Sequence, residues 1–104
     1  MVSNSGVWQP TNTETEKKVA GSCEVSALAL KAGGGAAVVS LYDGNSTQDA
    51  VPANKKWVLD ASTSDSDNQS FTIPITFKKG VYAVCEQGAG TNPILCIATR
   101  RYAA

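Results

Sequence analysis

Along residues 69–77 (QSFTIPITF) apolar and polar side chains alternate without a break. Phe71, Ile73, Ile75 and Phe77 fall on one side; Ser70, Thr72, Pro74 and Thr76 fall on the other. A period of two is the repeat of an extended chain, so the segment predicts a strand packed on one face only. Pro74 has no N–H to give to a ladder, which places it at a sheet edge or at a bulge. Weaker runs of the same kind occupy residues 24–31 (EVSALALK), 36–43 (AAVVSLYD), 55–60 (KKWVLD), 81–86 (VYAVCE) and 94–102 (ILCIATRRY). In the third of these, Trp57 and Leu59 share a face. Turn-forming clusters separate the runs: Gly33-Gly34-Gly35, Asp43-Gly44, the polar stretch 61–68, Lys78-Lys79-Gly80 and the glycine-rich stretch 87–93. No segment keeps a 3.6-residue period long enough for a helix. With a further piece near residues 17–20, the pattern predicts six to seven strands. The expected fold class is all-β, an antiparallel β-sandwich of jelly-roll-like or immunoglobulin-like kind.

Residues 1–18 lack either period and are largely polar, with Val7 and Trp8 as their sizeable apolar pair. They read as an extended N-terminal arm preceding a sandwich domain over residues 19–104. Trp8 is the side chain able to anchor that arm on a neighbour, since Trp is enriched where interfaces are buried.

Composition narrows the chemistry. Nine Lys plus Arg balance nine Asp plus Glu, and there is no histidine. A Ser-His-Asp triad, a Cys-His pair and a mixed Cys/His zinc site are therefore excluded. Zero net charge gives no general pull toward nucleic acid or an anionic membrane surface. Charged residues are only 17% of the chain, against about 25% in ordinary soluble domains, and hydroxyl and amide side chains fill the gap. A chain of 104 residues forms one domain and buries only about 60–65% of its unfolded surface, so neighbours are expected to add stability. Cys23, Cys85 and Cys96 are odd in number and lack CxxC spacing; they read as buried thiols, with a Cys85–Cys96 bridge across a hairpin as the alternative. The opening MVSNSGVWQP has no basic n-region or apolar h-region, so no secretory signal is expected, and no apolar run is long enough for a membrane helix.

Asp60, Asp65 and Asp67 are the one clustered carboxylate set, but the surrounding Ser-rich stretch offers nothing to desolvate them, and the segment reads as a solvated turn. Neither glycine cluster fits a phosphate-binding loop. Lys17-Lys18, Lys55-Lys56, Lys78-Lys79 and Arg100-Arg101 form four basic doublets, with Trp57 and Tyr102 near two of them. The nine carboxylates balance them, so a nucleic-acid partner is not expected. No catalytic residue, cofactor or metal ligand is assigned, and the chain is not expected to be an enzyme. The candidate interface residues are Trp8, Trp57, Tyr82, Arg100, Arg101 and Tyr102.

The order of elements from about residue 18 to 98 resembles a group of small all-β tailed-phage virion proteins. The resemblance rests on Leu30-Lys31-Ala32-Gly33-Gly34-Gly35, on Val39-Ser40-Leu41-Tyr42-Asp43-Gly44-Asn45-Ser46-Thr47, and on Phe77-Lys78-Lys79-Gly80-Val81-Tyr82 before a glycine-rich loop and a final strand. It implies a non-enzymatic capsid decoration or cement subunit, or a head-tail accessory protein. It also implies a homo-oligomer, a trimer in the expected form, that contacts the major capsid protein or other virion proteins and resides in the virion. The alternative is a carbohydrate- or receptor-binding module of a tail or fibre, with a cleft near Trp57, Tyr82 or Tyr102.

Overall fold

A computed structural model describes residues 3–100, with residues 3–5 as backbone alone. Eight strands are present among them: β1 (Ser3–Trp8), β2 (Glu16–Ala20), β3 (Cys23–Lys31), β4 (Ala37–Asp43), β5 (Lys55–Ala61), β6 (Ser66–Phe77), β7 (Val81–Gln87) and β8 (Ile94–Arg100). Two short 3-10 turns, Thr47–Asp49 and Pro52–Asn54, lie between β4 and β5.

The pairing follows one rule. β4 pairs with β5, β3 with β6, β2 with β7 and β1 with β8, all antiparallel. The chain is thus doubled back on itself at the β4–β5 link. This double ribbon then folds over, and two lateral pairings, β3 with β8 and β4 with β7, knit it into two sheets. The first sheet has the order β1-β8-β3-β6 and the second β2-β7-β4-β5. The two pack face to face as a sandwich and do not close into a barrel.

Inward positions supply the core, with Val25, Leu30, Val39, Leu41, Leu59, Phe77, Val81 and Leu95 fully buried. Each such side chain contributes about 1.5–3 kcal/mol by leaving water. Trp57, Leu59 and Ala61 point inward from β5, as the alternation there predicts.

The sandwich is tied at both edges without a ladder. At one edge Gly6 of β1 lies against Val19 of β2, where a Cβ would come within 2.7 Å of Val19 Cγ1. At the other, Trp57 of β5 meets Phe71 of β6 edge to face, 4.9 Å between ring centres. Beside that contact the backbone N–H of Asp60 in β5 donates to Asp67 Oδ2 of β6 at 3.0 Å. Loops tie both ends as well. At one end Gly44 donates to the Gly80 carbonyl and Lys79 N–H to Asp43 Oδ1. Gly80 sits at φ 142, a conformation that favours glycine. At the other end Gly34 donates to the Thr91 carbonyl and Ser64 to that of Gly33, whose missing Cβ would fall on Thr91 O.

Four expectations need correction. The count is eight strands, not six or seven. Residues 3–8 of the expected arm are strand β1, paired with β8 from Ser3↔Arg100 to Trp8↔Leu95, and Trp8 is a core residue at 2% exposure. The N-terminal segment is therefore part of the sandwich. The stretch 61–68 is shorter as a loop, since β6 begins at Ser66. Finally, Phe71, Ile73, Ile75 and Phe77 do not share a face throughout. Ser70 opposes Ala27 and Ile75 opposes Val25, so four β6 residues stand against Ser26 alone. The surplus bulges at Pro74 on what is also an edge strand, and Ile73 turns outward to 84% exposure.

No disulfide joins the cysteines: Cys23 and Cys85 are buried, while Cys96 is exposed. Cys85 faces inward from the second sheet and Cys96 outward from the first, which rules out the Cys85–Cys96 bridge and the reading of all three as buried.

Candidate functional site

The outer faces of the two sheets differ in every respect that matters for contact. On the first sheet, strand register builds rows of outward side chains. Val7 of β1, Cys96 of β8, Ala29 of β3 and Asn68 of β6 form one row. Ala98, Ala27 and Ser70 form the next. The bulge at Ser26, whose hydroxyl donates to the Ala98 carbonyl at 3.4 Å, lets Val25 stay inside while Ala27 comes out. Neither row carries a charge. Because the side chains are small, the sheet is hollow there, leaving an open groove of about 480 Å³ lined also by Gly6 and the Gln69 segment. Val7 stands 67% exposed at its edge. Charges appear only in the flanking rows: Lys31 beside Ile94 at one end, and Glu24 opposite Arg100 at the other.

The second sheet presents tyrosines and charges. Lys18, Tyr82, Tyr42 and Lys55 stand in one row across β2, β7, β4 and β5. Both tyrosines are buried. The Tyr82 hydroxyl donates to Glu16 Oε2 at 2.9 Å and lies 2.9 Å from the Thr47 hydroxyl, which belongs to the β4–β5 link. Burial pushes the Tyr82 phenol up; Glu16 pushes it the same way, and the Thr47 bond opposes them. The Tyr42 hydroxyl reaches Glu86 Oε1 at 3.4 Å, and Lys55 Nζ lies 5.7 Å from the Tyr42 ring centre. Around its tyrosines the second face is thus covered by its own side chains and link, while Val58 of the next row is partly open at 43% exposure.

The sequence-predicted residues do not converge. Trp8 is in the core, its indole N–H donating to Glu14 Oε1 at 2.7 Å. Trp57 is half-buried against Phe71 at the sandwich edge. Tyr82 is bound into the second face. Arg100 stands at the end of β8 on the opposite sheet. Arg101 and Tyr102 lie outside the described residues. Of the three clustered aspartates, Asp65 Oδ1 accepts the Ser66 N–H and Asp67 binds the β5 backbone, so both serve local structure. Among the described residues no three His, Cys, Asp or Glu side chains come together as metal ligands would.

Sequence reasoning passed over Val7, Ala27, Ala29, Cys96 and Ala98. Their signal was present in residues 23–31, where Leu28 and Leu30 fill one face while Ala27 and Ala29 occupy the other. A strand with one wet face would carry polar residues there. No protein-family model matches this chain, and comparison with curated proteins finds no match.

Proposed function

We propose that the chain is a structural subunit of a bacteriophage virion, a decoration or cement protein that reinforces the shell through protein–protein contact. The observation that carries this reading is the outer face of the first sheet: uncharged across its central rows, hollow and apolar. Such a surface is suited to being covered by another protein, because no charge there has to be desolvated. The topology supports it. We read the orders β1-β8-β3-β6 and β2-β7-β4-β5 as a double ribbon rolled into a jelly roll, an architecture used in viral capsid and lectin domains. The turn motifs that resemble tailed-phage virion proteins fall at the β3–β4, β4–β5 and β6–β7 connections. Fold alone does not assign function, so the face carries the argument and the topology seconds it.

The test is a pair of particles, one carrying the native chain and one carrying Ala29→Arg. The substitution places a charge in the middle of the groove, on a side chain that points away from the core. The reading predicts loss of the variant from particles, and lower heat resistance of those particles, with the isolated domain melting as before. Undiminished incorporation of the variant would overturn it.

A further inference from the structure

The formal charge of zero conceals a separation along the strands. Strand directions bring Lys18, Lys55, Lys56, Lys78, Lys79 and Arg100 to the end that holds the β6–β7 turn. The carboxylates there are Glu16, which holds the Tyr82 hydroxyl, Glu24, Asp43 and Asp49. Asp43 accepts the Lys79 N–H, and Asp49 pairs with the Lys79 ammonium at 3.5 Å. The opposite end gathers Glu14, Asp60, Asp65, Asp67 and Glu86 against Lys31 and Lys17, the ammonium of Lys17 reaching Glu14 at 3.8 Å. The ion pairs found among the described residues are Lys17–Glu14 and Lys79–Asp49. Lys18, Lys56 and Lys78 are exposed and make no ion pair there, and neither do Asp60, Asp65 or Glu86.

We propose that copies of this chain associate head to tail, the lysine end of one against the carboxylate end of the next. Each end is the electrostatic complement of the other, and both are built on loops locked by hydrogen bonds across neighbouring strands, so the complementary surfaces are preformed. Lys78 and Asp65 sit in the connecting loops at the tips, where end-on copies meet. The contact is heterologous: each added copy leaves one lysine end and one carboxylate end open, so assembly closes as a ring or extends, and does not stop at a two-fold pair. It leaves the open rows of the first sheet unused, and stands whether or not the virion reading does.

Sedimentation velocity of the full chain tests it. Raising salt from about 10 mM to about 1 M shortens the screening length from about 30 Å to about 3 Å, and the association constant should fall at least tenfold. The double variants Lys56→Glu/Lys78→Glu and Asp60→Lys/Glu86→Lys should each be monomeric alone, with the melting temperature unchanged in the first and slightly lowered in the second, which gives up the Tyr42–Glu86 bond. Mixed in equal amounts they should assemble again, since each supplies the sign the other has lost. A native chain that stays monomeric at low salt would overturn the proposal. So would association insensitive to salt, a mixture that fails to assemble, or a complex that stops at two copies.

Discussion

The two outer faces are built on the same inner alternation, yet only one remains open. In the second sheet, Tyr42 and Tyr82 stand side by side, and the long β4–β5 link brings Thr47 down onto Tyr82 while Glu16 accepts a hydrogen bond from its hydroxyl. In the first sheet the corresponding positions are Ala27, Ala29, Cys96 and Ala98, and no segment among the described residues covers them. A strand's inward residues decide that it folds; its outward residues decide what it meets. Large hydrogen-bonded side chains finish a surface within the chain. Small uncharged ones leave it open, and the proposed contact surface rests on this contrast.

The comparison is tested first through what both faces share. Phe77 is fully buried, and Phe77→Ala should destabilise the domain by about 3–5 kcal/mol in denaturant titration. Trp8→Ala belongs to the same class at about 3–5 kcal/mol, because Trp8 closes the core under β1. An arm attached only to a neighbour would leave stability in isolation untouched, so this variant separates an integral strand from an appendage. Next comes the self-covered face. Tyr82→Phe removes a hydroxyl held by Glu16 and Thr47 and should cost about 0.5–1.5 kcal/mol.

The same group sets a pH dependence. The folded state raises the Tyr82 pKa above its ordinary 10.0, so the folded protein holds that proton more tightly than the unfolded chain does. Its contribution is complete below pH 10 and declines as pH rises through the folded value. Alkaline unfolding followed by near-ultraviolet absorbance should show this decline, and Tyr82→Phe should remove it. The smallest effect belongs to the open face: Ala29→Arg should shift stability by no more than about 0.5 kcal/mol, since its side chain leaves the core unchanged.

Most of the sandwich was legible in the chain, and the exceptions have physical causes. Strands β3 to β8 announce themselves by alternation and by the turns between them, and a piece of β2 shows at residues 17–20. β1 does not. It has Gly6 where it presses on Val19, and its identity rests on pairing with β8, at the far end of the chain and invisible to a local pattern. The alternation through Ile73 misleads because period two holds only while register holds, and the Pro74 bulge resets it. Pro74 itself was informative, since it marks both the edge and the irregularity. The candidate site was legible least. Aromatic and basic residues drew attention as contact residues, whereas Trp8 and Trp57 are needed inside and Tyr82 is bound by its neighbours. The open face, made largely of alanines, shows itself only when strand order lays β3 and β8 side by side.

Cys96 offers the most direct measurement of the central claim. Its thiol stands in the open row between Val7 and Ala29, whereas Cys23 and Cys85 are buried and burial pushes the Cys85 thiol further from its reactive form. Maleimide labelling of the isolated chain should modify Cys96 rapidly and the other two slowly. If the outer face of the first sheet is the surface covered by the shell, Cys96 in intact particles should be protected. Labelling in the particle at the rate of the isolated chain would contradict the account.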